Sequence, residues 1–185
     1  MKSAVKAVIP FIMALSSIGG TLEASNSGVQ IEHLGVNNTL VRITGDGNYL
    51  LLPVQESNDD AKVNVLVDGK LERTIYVRMA KSKVDYTVPL DLSPYKGHKV
   101  LLDIVTSQNR ATVREAKEDA CWNNFSVTDT IDVTNRDKYR PAFHHTPQYG
   151  WMNDPNGMFY KDGVWHLYYQ WNPYGSKWQN MTWGH

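Results

Sequence analysis

The sequence predicts an all-β chain: an antiparallel β-sandwich followed by a second, aromatic-rich β region. Three observations carry this. Short apolar runs with period two recur at regular spacing between residues 29 and 133. Asp-Gly pairs at 68–69 and 162–163 sit between such runs, where tight hairpins need residues that accept positive φ. Composition also changes sharply after residue 140. Five of the six tryptophans and five tyrosines fall in residues 143–185, where Asp154, Lys161, Asp162 and Lys177 are the only Asp, Glu, Lys or Arg.

The elements follow in order. Leu40-Val41-Arg42-Ile43-Thr44 alternates, and the turn-forming Gly45-Asp46-Gly47-Asn48 leads into a more continuous apolar run at 49–54. Residues 62–67 place valines on one face, and Asp68-Gly69 turns the chain into a partner strand at 71–77. Strands at 84–90 and 100–106 follow, separated by the loop Ser93-Pro94-Tyr95-Lys96-Gly97, and Phe125-Ser126-Val127 closes the series. Only residues 109–118 read as a helical turn. About a hundred residues suffice for one independent core, so residues 27–132 form the expected sandwich domain. The polar stretch 130–140, ending at Pro141, is the expected connection, and the second domain occupies residues 140–185. There a strand at 157–160 meets the Asp162-Gly163 turn and returns over 164–170, which puts Asp154, in the turn before the first strand, beside Gln170 at the end of the second.

Hydrophobic residues make up 42% and charged residues 21%, with a formal net charge of zero. No basic or acidic run favours nucleic acid or an anionic membrane as partner. Lys2 and Lys6 precede an apolar stretch at 7–18, and small residues follow at Gly19, Gly20, Ala24 and Ser25. That pattern reads as a signal peptide over 1–24, too short to span a bilayer and leaving no membrane insertion after its removal. Cys121 is the single cysteine, so no internal disulfide is possible and the thiol reads as a small buried hydrophobe. Export without a disulfide staple fits a bacterial periplasmic, cell-surface or secreted protein. Asn37, Asn124 and Asn180 each begin a short glycosylation acceptor pattern of the kind that recurs by chance.

The densest chemistry lies at 145–157, His-Thr-Pro-Gln-Tyr-Gly-Trp-Met-Asn-Asp-Pro-Asn-Gly. As backbone chemistry, Asn153-Asp154-Pro155-Asn156-Gly157 is a turn. As site chemistry, it sets one carboxylate beside an indole and two side-chain amides, the groups needed to grip a sugar and attack its anomeric carbon. Aromatic density suits a carbohydrate pocket, and a packed β core explains it equally well. No His/Cys cluster suggests a metal, and no cofactor is expected.

Trp151-Met152-Asn153-Asp154-Pro155-Asn156-Gly157, preceded by Arg140-Pro141 and His145-Thr146-Pro147, resembles the signature of glycoside hydrolase family 32, the β-fructosidases. Tyr168-Tyr169-Gln170-Trp171-Asn172-Pro173 resembles that family's next strand. Residues 178–185 resemble its Trp-Gly-Asn segment, with Gln179 where glycine is common. The match covers about a quarter of the chain. Residues 27–132 resemble, less specifically, the β-sandwich that precedes the catalytic domain in some bacterial members.

The resemblance implies a five-bladed β-propeller, of which residues 140–185 would be the first blade. It implies a retaining hydrolase of β-fructofuranosyl linkages in levan, inulin or sucrose, with Asp154 as nucleophile. Trp151, Met152, Asn153, Gln170 and Trp178 would line the fructose subsite. The family's later Arg-Asp-Pro and Glu-Cys elements have no counterpart after Asp154, and no glutamate follows Glu118. The chain therefore reads as the N-terminal portion of an enzyme, a truncated propeller expected to be inactive as it stands. Two alternatives share the motif: a related five-bladed furanosidase, and a non-catalytic carbohydrate-binding protein.

Overall fold

The computed structural model describes residues 28–106, 115–132 and 140–185. The expected signal peptide, most of the expected helical turn at 109–118 and most of the connection at 130–140 lie outside the described residues.

The first part of the chain forms β1 (Val29–His33), β2 (Asn38–Ile43), β3 (Tyr49–Val54), β4 (Ala61–Val67), β5 (Lys70–Val77), β6 (Tyr86–Asp91), β7 (Val100–Val105) and β8 (Ser126–Thr128). They pair antiparallel as a five-stranded sheet, β1-β2-β7-β4-β5, and a three-stranded sheet, β6-β3-β8. The alternation in the sequence explains the packing. Ala61, Val63 and Val65 of β4 are buried while Lys62 and Asn64 between them are only partly so. Val41, Leu102 and Ile104 of the larger sheet join Leu50, Leu52 and Leu90 of the smaller one in a single buried cluster. Each such side chain contributes about 1.5–3 kcal/mol by leaving water. Cys121 is buried in the same core, on a 3₁₀ turn spanning Ala120–Asn123, where Trp122 stacks on Phe125 with centroids 6.1 Å apart.

Both Asp-Gly pairs turn as expected. Asp68 and Gly69 have φ of 49° and 78°, Asp162 and Gly163 of 51° and 82°, the doubly positive pattern of the tight turn that matches strand twist. Strand β1 escaped the sequence reading, since Val-Gln-Ile-Glu-His is short and half polar. Its pairing with β2, from Val29↔Ile43 to His33↔Thr39, is what defines it.

The second part forms β9 (Trp151–Lys161), β10 (Val164–Asn172) and β11 (Thr182–Gly184), an antiparallel sheet ordered β11-β10-β9. Here the structure corrects the expectation for the motif. Asn-Asp-Pro-Asn-Gly is not a turn before a strand at 157–160 but part of a strand that starts at Trp151. Pairing with β10 overrides local turn propensity, and the misfit is absorbed by two register shifts.

The two parts are in contact. Tyr174, just after β10, is only 6% exposed and belongs to the core of the first part. Strand β5 is the open edge of the five-stranded sheet, and Asn180 bonds it at Tyr76. That engagement uses the Asn180 amide, the atom a glycan would need.

Candidate functional site

Strand β9 is an edge strand, and its bulged middle carries the motif. Met152 pairs with Trp171, Pro155 with Tyr169 and Gly157 with Tyr168, so β9 fits two more residues than β10 between these points. Bulges of this kind re-aim side chains, and they often stand beside functional sites. Asp154 and Asn156 occupy the irregular stretches, and the Asp154 side chain is exposed. Among the described residues no hydrogen bond or ion pair engages its carboxylate.

Next to it, Asn153 Nδ2 donates to Gln170 Oε1 at 2.7 Å. This bond across the strands orients both amides. Asn153 Oδ1 remains as an acceptor and Gln170 Nε2 as a donor, the complementary pair a sugar hydroxyl can use. Trp151 lies opposite Asn172 and Met152 opposite Trp171, all at most partly exposed. The structure thus gathers Trp151, Met152, Asn153, Asp154 and Gln170 at one end of the β9–β10 pair. It sets Trp178 apart, on the loop at 173–181, 65% exposed and with no ring or hydrogen-bond contact to the others among the described residues.

On the Gln170 face, the strand continues into a stack of rings. Phe159 lies 4.9 Å from His166, and His185 lies 4.4 Å from Tyr168 and 5.1 Å from His166. His166 Nδ1 and His185 Nε2 are 2.9 Å apart, so one ring donates and the other accepts. On the opposite face, His145 packs on Tyr169 and Tyr149 on Trp171, each with centroids 5.1 Å apart, and Trp171 Nε1 donates to the Tyr149 carbonyl. Two glycines permit this closeness. A Cβ on Gly150 (φ 75°) would strike the Asn172 carbonyl, and one on Gly184 would enter the Tyr169 ring.

The loop carrying Trp178 is tied to the first part of the chain. Lys177 Nζ lies 3.4 Å from Glu56 Oε1, Gln179 Nε2 donates to Asp60 at 3.4 Å, and Asn180 pairs with Tyr76. Burial alone would raise the Glu56 carboxyl. Hydrogen bonds from Tyr86 and Ser176, with Arg78 and Lys177 nearby, outweigh it and hold Glu56 below the usual glutamate range. Sequence reasoning missed these tethering residues, because long-range polar pairs leave no periodic signal. Among the described residues, no group of three His, Cys, Asp or Glu side chains is placed to hold a metal ion.

Two stretches of the chain match known families. Residues 35–143, more than half of the chain, match the family described as a domain of unknown function (DUF4980). The chain belongs to that family. Beyond this DUF4980 module, residues 144–185 match the glycosyl hydrolases family 32 N-terminal domain, which bears out the family resemblance of the motif. A levanase of Bacillus subtilis is 53% identical over 58 residues, 31% of this chain and 9% of that protein. An extracellular exo-inulinase of Aspergillus niger is 53% identical over 47 residues, 25% of this chain and 9% of its own length. An insoluble β-fructofuranosidase isoenzyme of Arabidopsis thaliana is 47% identical over 58 residues, 31% of this chain and 10% of that one. The chain thus spans about a tenth of the length of the curated relatives it matches. No solved structure matches it. No helix among the described residues is long and apolar enough to cross a membrane.

Proposed function

We propose that the DUF4980 chain belongs to an exported β-fructosidase that hydrolyses fructans or sucrose with retention, Asp154 being the nucleophile. The observation that carries this reading is the bulged edge strand. It presents an unengaged carboxylate directly beside the Asn153–Gln170 amide pair, within residues that match family 32.

In this reading the amides bond the hydroxyls of a terminal fructosyl unit while Asp154 attacks its C2. The bond from C2 to the leaving oxygen breaks as the Asp154–C2 ester forms, and water later returns the free fructose. A second carboxyl about 5–5.5 Å away must protonate the leaving oxygen and then activate that water. The family resemblance makes that group a glutamate, and no glutamate follows Glu118 in residues 119–185. Residues 144–185 would be one blade of a five-bladed propeller, and the two sheets of the DUF4980 module a sandwich packed against it. The levanase and exo-inulinase relatives favour a fructan, and the extracellular exo-inulinase favours export, consistent with a signal peptide over 1–24.

The test is made in a polypeptide that carries these residues within a complete family 32 domain. A mechanism-based fluorinated fructoside should label Asp154, and Asp154→Asn should abolish fructose release with the unfolding midpoint preserved. Labelling of another residue, or substantial hydrolysis by the Asn variant, would overturn the assignment.

A further inference from the structure

Gln170 and Trp171 are neighbours in β10, so they point to opposite faces of the sheet. Gln170 faces Asn153, whereas Trp171 helps line a cavity of about 500 Å³ where the DUF4980 module meets the family 32 segment. That volume is in the range of small-ligand clefts. The module contributes Arg73, Asp91 and Tyr95, and the segment contributes Tyr149, Trp171 and Tyr174.

Three features define what such a cleft holds. First, four aromatic rings offer flat apolar surfaces, and burial raises the Tyr149 phenol to about 12, keeping it neutral as donor and acceptor. Second, the Arg73 guanidinium stands in the wall beside the Tyr174 hydroxyl, its carbon 6.0 Å from the Tyr95 ring centroid. Third, the opposite charge is present: Asp91 Oδ1 accepts from Ser93 N at 2.9 Å and from Ser93 Oγ at 2.6 Å, which fixes the carboxylate at the wall.

One cation and one anion cancel. A net anion would meet Asp91, and a net cation would meet Arg73. Vicinal hydroxyls suit both, accepting from the guanidinium and donating to the carboxylate while the C–H face of a ring lies on the aromatics. We propose that the junction is a second sugar-binding site for a neutral oligosaccharide, on the opposite side of the β9–β10 sheet from the Asn153–Gln170 pair. Its occupancy does not depend on Asp154, so the site stands or falls apart from the hydrolase reading.

The 185-residue chain is titrated by calorimetry and amide NMR with an inulin-derived trisaccharide and, separately, with maltotriose. At least one should bind. Arg73→Gln and Tyr95→Ala should each weaken binding about tenfold, the size expected on losing one hydrogen bond to a charged group. Leu34→Ala, exposed in the β1–β2 loop at the other edge of the five-stranded sheet, should leave it unchanged. Arg73 and Tyr95 are only partly buried, and unfolding midpoints near that of the parent confirm intact variants. If Tyr95→Ala does not fold, Arg73→Gln decides alone. Absence of binding by both trisaccharides at 50 mM (on the order of the weakest useful sugar sites) overturns the proposal. So does loss of binding in Leu34→Ala alone, or tighter binding of a sulfated trisaccharide or a zwitterionic dipeptide.

Discussion

Asn180 and Tyr76 bond to each other twice: Tyr76 N donates to Asn180 Oδ1 and Asn180 Nδ2 donates to the Tyr76 carbonyl, both at 2.7 Å. The side-chain amide does what another strand would do at the open edge of β5, and so joins the two parts of the chain. Asn180 holds φ at 47°, a left-handed conformation that asparagine tolerates better than most residues. Asn180→Ala should therefore cost about 1–3 kcal/mol, since it strands two backbone groups of Tyr76. Asn180→Gly, which relieves the backbone but not the lost bonds, should lose nearly as much. Hydrogen exchange at the Tyr76 amide is the direct readout. Unchanged protection in both variants would show that the bridge carries no weight.

Acid should loosen the same junction through Glu56. Its carboxyl is held below the ordinary value of 4.5 by partners that prefer it ionised. A depressed folded-state pKa adds stability above the unfolded value and loses it as pH falls through the folded one. Stability should thus decline from about pH 4.5 downward. Asp46, Asp68 and Asp85, held low by Lys96, His98 and Lys83, contribute to the same slope. The diagnostic is a comparison: Glu56→Gln should be less stable than the parent at pH 7, with the gap closing towards pH 3. A gap that stays constant over that range would remove Glu56 from the pH response.

Gly184→Ala should disrupt the second sheet, because the added Cβ would occupy the Tyr169 ring that packs on His145. Overpacking of this kind costs about 1–3 kcal/mol. Urea unfolding of the single variant and of Gly184→Ala with Tyr169→Ala tests it. The double variant should be less destabilised than the sum of the two changes, and strict additivity would mean the ring can simply move aside.

Much of the fold was legible because it rests on local rules. Period-two valines in β4, and Asp-Gly pairs at both hairpins, follow from side-chain alternation and from φ. The all-β class and most strand positions came from these alone. The motif was harder. Asn153-Asp154-Pro155-Asn156-Gly157 has turn propensity, and only the long pairing with β10 holds it extended, so the strand could not be read from five residues. Hairpin spacing set Asp154 beside Gln170, but the bond at 2.7 Å goes to the adjacent Asn153, a choice that depends on the strand irregularities and not on spacing. Asn180, Glu56 and Asp60 were not legible, because contacts across more than a hundred residues leave no trace in local pattern.

Trp178 separates stability from sugar handling. Its ring is 65% exposed and makes no ring or hydrogen-bond contact among the described residues, so Trp178→Ala should change stability by at most about 0.5 kcal/mol. Yet its neighbours on the loop are tethered: Lys177 to Glu56, Gln179 to Asp60 and Asn180 to Tyr76. An exposed indole on a restrained loop is an apolar platform whose ordering entropy is already spent, which favours binding by preorganisation. In a complete family 32 domain, Trp178→Ala should lower kcat/KM for a terminal fructosyl unit about tenfold, the share of one stacked ring. Asn180→Ala, with the indole intact but one tether cut, should raise KM more than it lowers kcat. Unchanged kcat/KM in Trp178→Ala would take the indole out of the subsite, whereas a large loss of stability would make it a packing residue.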